Sequence, residues 1–215
     1  MTPPPDQAVG PPAALPSDPA AVRRAILGFL PSIILPIFLA AIDQTIVSTA
    51  LPAMAGELGD VDRVSWVVVG YLVAATVGTP IYGRLGDALG RRRMMMVALA
   101  IFLLASLLAT VAPSLLALTG ARVLQGLGGG GLMALAQALI GEYVPPRERG
   151  RYQGWLATIF LSASSLGPVA GGFLTEHFGW RSVFLINLPL GLLAWVLLLR
   201  LAPERGGGGK LRFDY

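Results

Sequence analysis

GRLGDALGRRR, residues 83–93, separates two long apolar runs, 64–82 and 94–111. Four of its eleven residues are arginines, one is Asp87, and Gly83, Gly86 and Gly90 allow a tight backbone path. Lysine and arginine collect on the cytoplasmic side of a membrane. A short, basic, glycine-punctuated turn between two runs of spanning length therefore reads as a cytoplasmic loop. That reading fixes the orientation of every other segment.

Composition points the same way. Of 215 residues, 54% are hydrophobic and 13% charged, where a soluble domain carries about a quarter charged. The deficit means that lipid is the solvent for much of the surface. Cysteine is absent from the sequence, which excludes disulfides, thiolate metal sites and thiol nucleophiles. The single histidine, His177, cannot build a metal cluster alone. A net charge of +4 raises the question of nucleic acid. The positions of the charges follow membrane topology instead, so no nucleic-acid partner is expected.

Residues 1–22 hold seven prolines, a density that removes backbone donors and blocks helix, so a disordered cytoplasmic tail is expected. Six apolar runs follow, at about 25–54, 64–82, 94–111, 115–140, 152–175 and 182–199. Each is near the roughly 20 residues that cross a bilayer as helix. Backbone groups in hydrocarbon must satisfy one another, which makes the runs helices and not strands. The expected fold is an all-α membrane protein, with 23–202 as a six-helix transmembrane unit and 203–215 as a Gly-rich cytoplasmic linker. With the N-terminus inside, 13 of the 16 lysines and arginines fall on the cytoplasmic side. Only Arg63 and Arg181 fall outside, and Arg122 lies within the fourth run. Both termini are therefore expected in the cytoplasm.

Two charges interrupt the apolar runs. Asp43 in the first costs about 2.5–3.5 kcal/mol to insert, which makes it a functional candidate by default. It lies roughly 22 Å into its helix, and Arg122 lies roughly 10 Å into a helix that starts from the opposite side. Both belong to the outer half at similar depths. On one reading they pair and hold the bundle together. On the other, Asp43 is a proton site: burial raises a carboxyl pKa, and a neighbouring arginine lowers it and can expel the proton when helices move. Gln44, Thr45, Ser48 and Thr49 make the same helix polar over a wide arc, which suggests that it lines a cavity.

The motifs carry a family resemblance. G-x-L-x-D-x-x-G-R-R in residues 83–92 resembles the loop between helices two and three of the major facilitator superfamily. IDQTIVSTALP, 42–52, resembles the first-helix motif of its fourteen-span drug:proton antiporters, with Ser48 where asparagine is usual. RVLQGLG, 122–128, fits the fourth-helix motif R-x-x-Q-G-x-G. GPVAGG, 167–172, fits the fifth-helix antiporter motif, with Ala163 in place of a glycine four residues earlier. WRSVFLINLPLG, 180–191, resembles the start of helix six in the same subfamily. Each motif is modest alone, but five in order on the right helices are specific.

The resemblance implies one half of the superfamily's fold, two inverted three-helix repeats, with the substrate bound between two halves. It implies proton-coupled efflux of amphipathic or cationic drug-like compounds across a bacterial plasma membrane. Asp43, Arg122 and Gln125 would serve proton coupling and substrate recognition. Gly83, Asp87, Gly90, Arg91 and Arg92 would form a cytoplasmic gating latch, and Gly167, Pro168, Gly171 and Gly172 a close helix-packing motif. The partners implied are a small-molecule substrate, protons, lipid, and a C-terminal half or second copy, with the chain itself read as a truncated product. A non-transporting half-module and an exporter of a specific metabolite stay open as alternatives. The Gly128–Gly131 run lacks the strand and the Lys-Ser/Thr of a phosphate loop and reads as helix packing. No catalytic triad, carboxylate pair or metal-ligand spacing occurs, so no enzyme activity, cofactor or metal is expected.

Overall fold

The computed structural model describes residues 19–200 except residue 145. The expected linker at 203–215 and most of the expected tail lie outside the described residues. Among the described residues are seven α-helices and one 3-10 turn, Val61–Arg63. The helices are α1 (Pro19–Leu58), α2 (Trp66–Leu89), α3 (Arg91–Thr110), α4 (Leu115–Tyr143), α5 (Arg149–Phe178), α6 (Ser182–Leu185) and α7 (Asn187–Arg200). They make six spans long and apolar enough to cross a membrane. α6 and α7 together form the sixth.

Three boundaries differ from expectation. First, α1 begins at Pro19, inside the stretch read as tail. Proline is tolerated in the first helical turn, where an amide N–H has no helical partner. Second, residues 83–93 are not an open loop. α2 runs on to Leu89 and α3 starts at Arg91, so the turn is Gly90 alone, at φ 98°. The buried stripe Gly78, Tyr82, Gly86 carries α2 past its apolar run because it keeps packing on α4. Only a residue without Cβ turns the chain so sharply. Third, the sixth span breaks at Ile186. Pro189 has no N–H to give to the Leu185 carbonyl, so the helical ladder is interrupted there. Pro168, by contrast, leaves α5 continuous.

Packing follows the two-triplet plan. α4 runs along α2 and α3, and α1 runs along α5 and α7. Small residues let backbones approach at both main crossings. A Cβ on Gly130 would lie 2.8 Å from the Ala75 backbone of α2, and one on Gly171 2.8 Å from the Ile46 carbonyl of α1. The glycine run of α4 is thus a packing seam. Thr45 reinforces the second crossing by donating to the Ala163 carbonyl of α5, at 3.0 Å.

The apolar core is split into two storeys. One gathers Ile33, Ile37, Leu99, Phe102, Leu132 and Leu198. The other gathers Ile46, Val67, Leu118, Val183 and Phe184. Between them lies a layer of buried polar side chains: Asp43, Ser106, Arg122, Gln125 and Asn187.

Candidate functional site

That polar layer is the candidate site. Asp43 and Arg122 are 0% and 1% exposed. Arg122 Nη1 donates to Asp43 Oδ2 at 2.5 Å and to Gln125 Oε1 at 2.6 Å. Its Nε donates to the Val67 carbonyl at 3.3 Å. Gln125 Nε2 donates to Asp43 Oδ1 at 2.9 Å and to Ser106 Oγ at 2.8 Å. Asn187 Nδ2 donates to Asp43 Oδ1 at 2.7 Å and to Ser106 Oγ at 3.2 Å. The carboxylate therefore receives three hydrogen bonds from α4 and α7, and the guanidinium sits 4.3 Å over the Tyr71 ring of α2. Such contacts are what a buried charge pair needs, because neither ion has water.

The local structure explains the meeting. Arg122 and Gln125 are three residues apart on α4 and so share a face. Asn187 arrives because the break at Ile186 starts a new helix with that residue at its head. Ser106 comes from the middle of α3. Asp43 reaches the layer from the α1 face that also buries Ala40, Val47 and Ala50.

The sequence set Asp43 and Arg122 at similar depths, with pairing one of two readings, and the resemblance grouped Gln125 with them; the structure brings all three together. It changes the expected surroundings. Asp43 does not line a cavity here but is closed inside the bundle. The polar arc of α1 serves three directions. Asp43 faces the core, Thr45 and Thr49 lie where α5 crosses, and Ser48 is exposed. Tyr71 of α2 is buried against Arg122. Ser106 and Asn187 were not singled out beforehand. Asn187 had two signals, a lone amide in an apolar run and a place in the 180–191 motif, and Ser106 had none, since serine is common in spanning helices.

The latch residues divide. Arg91 donates to Asp87 Oδ1 at 2.8 Å, to the Ala138 carbonyl at 2.6 Å and to Glu142 at 3.2 Å. It thereby clasps the α2–α3 turn at Gly90 to the end of α4. Glu142 is a partner that sequence reasoning missed. Arg92 turns away and donates to the Leu198 and Leu199 carbonyls at the end of α7, at 2.9 and 2.8 Å. Gly83 stands apart, with open space around it. At the other end, Glu57 is paired with Arg181 and accepts from Trp180 Nε1 at 2.8 Å. In the α5 motif, Gly167 and Gly171 face α1, while Pro168 and Gly172 are exposed. Among the described residues no group of histidine, cysteine and carboxylate side chains is placed to hold a metal.

Six spans in two triplets around one buried ion pair define a unit of a multi-pass membrane transporter fold. The chain belongs to the Major Facilitator Superfamily, whose family profile matches residues 33–213. It is 36% identical over 196 residues to Multidrug resistance protein 3 of Bacillus subtilis, covering 91% of this chain and 38% of that protein. It is 37% identical to the Multidrug transporter protein MdtP of Bacillus subtilis, covering 89% of this chain and 35% of that one. It is 36% identical to the MFS-type efflux pump LUC4 of Fusarium sp, covering 93% and 36%. In fold it is similar to the crystal structure of a D-xylose-proton symporter, with TM-score 0.73 at 17% identity, covering 84% of this chain and 49% of that one. The chain thus spans little more than a third of the length of these relatives and about half of the solved symporter.

Proposed function

We propose that the chain is the N-terminal half of a proton-coupled multidrug antiporter, exporting amphipathic, cationic compounds. The observation that carries this is the buried Asp43–Arg122–Gln125 cluster. A carboxylate held at zero exposure by an arginine has two stable conditions: charged and paired, or neutral and released. Proton uptake by Asp43 frees Arg122, and the freed helices repack. Asp43 lies on the first helix of one triplet and Arg122 on the first helix of the other, so a change in their bond moves the triplets relative to each other. The names of the relatives support export of drugs, and substrate would bind between this half and a second one. The Arg91 clasp is the cytoplasmic gate, holding one end closed until it breaks.

Both termini face the cytoplasm of a bacterial plasma membrane in this proposal, supported by the distribution of arginine. Because the sequence lacks cysteine, single cysteines at positions 63 and 93 report sidedness directly. The reading requires position 93 to react from the cytoplasm alone and position 63 from outside alone.

The decisive experiment is ethidium efflux by the full-length assembly with Asp43→Asn. The variant keeps shape and loses the titrating group, so proton-driven efflux is lost. Unchanged pH-dependent efflux removes Asp43 from coupling. A second reading is a half-module that works only with a partner. Crosslinking between α5 cysteines, introduced on the exposed face at Ser164 and Ser165, tests it against the chain acting alone.

A further inference from the structure

We infer that Asn187 is a two-way amide switch that holds the Asp43 carboxyl group in both its charged and its protonated state. The inference rests on the reading of Asp43 as a proton carrier. Its starting point is an imbalance. Asn187 is fully buried, its Nδ2 makes two hydrogen bonds, and its Oδ1 has no partner. A buried amide oxygen without a donor is costly, because it has given up water and gained nothing in return. Nature of the neighbours suggests what that oxygen is for.

The groups around Asp43 can be named element by element. α4 supplies Arg122 and Gln125, and α2 supplies Tyr71, behind the guanidinium. α3, α6 and α7 present Ser106, Phe184 and Asn187, none of them charged. α5 meets the adjoining turns of α1 through Ala163, Gly167 and Gly171. Arg122 is thus the one permanent charge facing Asp43 among the described residues. It cannot take or release a proton.

Consider the carboxylate once it accepts one proton from water and Arg122 withdraws. The new O–H on Oδ1 needs an acceptor within 2.5–3.0 Å. Gln125 Nε2 and Asn187 Nδ2 are both donors, so neither serves as it stands. A half turn of the Asn187 side-chain amide puts Oδ1 where Nδ2 was, 2.7 Å from the new hydroxyl. Terminal amide torsions are broad and two-fold, and the two ends are nearly the same shape, so the turn needs no repacking. Ser106 completes the exchange. Its hydroxyl accepts from Asn187 in the paired state and donates to Asn187 Oδ1 after the turn, while still accepting from Gln125 Nε2 at 2.8 Å. No covalent bond other than the new O–H forms, the amide keeps two hydrogen bonds in each state, and its unpartnered end changes from Oδ1 to Nδ2. In the paired state the Gln125 Oε1 is engaged by Arg122, so Asn187 carries the unengaged amide oxygen beside Asp43.

Asn187 is the sole asparagine in the sequence, which makes the test a single-site measurement. The chain is prepared with 13C,15N-asparagine, and separately with 13C-aspartate, in phosphatidylethanolamine–phosphatidylglycerol vesicles. Solid-state NMR follows the Asn187 side-chain 13Cγ and 15Nδ2 signals and the Asp43 carboxyl signal, the latter identified by its loss in Asp43→Asn. The expected result is a shift of both Asn187 signals with the same midpoint as Asp43, and a flat Asn187 response in Asp43→Leu, which adds no second asparagine. If Asp43 titrates while Asn187 stays flat, the switch is overturned and the proton site stands. If Asp43 never takes a proton, both readings fall. An Asn187 shift that persists in Asp43→Leu also overturns the switch, because the amide then follows another group.

Discussion

Gly126→Ala is the most direct test of the packing that supports the site. A Cβ there would lie 2.9 Å from both Cα and the carbonyl carbon of Tyr71, and nearer still to its oxygen. Ordinary carbon contacts are about 3.5–4.0 Å, so α4 and α2 must part by roughly 1 Å. The obstacle is backbone, which has no rotamer to escape into, and overpacking of this kind costs about 1–3 kcal/mol. Alanine also gains about 1 kcal/mol of helix propensity over glycine. Gly120→Ala removes that ambiguity. Gly120 lies on the same helix, with nothing within 4 Å of the added Cβ. The propensity gain is common to both variants, so their difference isolates the clash at about 1–3 kcal/mol. Equilibrium unfolding in mixed dodecylmaltoside–SDS micelles, followed by far-UV circular dichroism, measures it. Gly126→Ala as stable as Gly120→Ala would refute the backbone seam. It would also undercut the placement of Tyr71 under Arg122, since the same residue forms both contacts.

Three further outcomes are expected. Arg122→Met strands the Asp43 carboxylate at zero exposure and costs about 3–5 kcal/mol in the same unfolding assay. Adding Asp43→Leu recovers most of that loss, and a double variant no better than the single one would show that the pair is not coupled. Asp87→Asn changes stability by less than about 1 kcal/mol, because the Asp87–Arg91 pair is largely exposed. It lowers ethidium efflux nonetheless, and normal efflux by a well-inserted variant removes the clasp from gating. Pro189→Ala restores a donor to the Leu185 carbonyl and gains about 1 kcal/mol. It straightens the sixth span, turns Asn187 away from Asp43 and reduces efflux; wild-type efflux would show that the break at Ile186 is incidental.

Much of this architecture was legible because hydrocarbon leaves few choices. Six apolar runs of spanning length had to be six helices, and Gly167 and Gly171 proclaimed a close crossing. The depths of Asp43 and Arg122, counted from opposite membrane faces, put them at a similar level and left their pairing open; the structure has them 2.5 Å apart. Helix ends were harder to read. Hydropathy marks where a run leaves the lipid, but Tyr82 and Gly86 show a helix continuing on tertiary contacts beyond it. Rotation about the helix axis was harder still. A helix with Asp43, Gln44, Thr45 and Ser48 in sequence is polar on most sides, and only its neighbours decide which side faces the core. Ser106 and Glu142 became visible only through partners on other helices, Asn187 on α7 and Arg91 on α3.

The convergence of α1, α3, α4 and α7 on one carboxylate also sets a clock for biosynthesis. Arg122 follows Asp43 by 79 residues, and Asn187 follows it by 144. At about 5–20 residues per second, the guanidinium is made about 4–16 s after the carboxylate, and the asparagine about 7–29 s after it. Through that interval the first span carries its acid with no arginine to neutralise it, at an insertion cost of about 2.5–3.5 kcal/mol. The carboxyl group of Asp43 is thus without its partner until the fourth span is made. The arrival of the fourth span then converts a loosely held helix into a fixed one, and the order of translation becomes part of how the site is assembled.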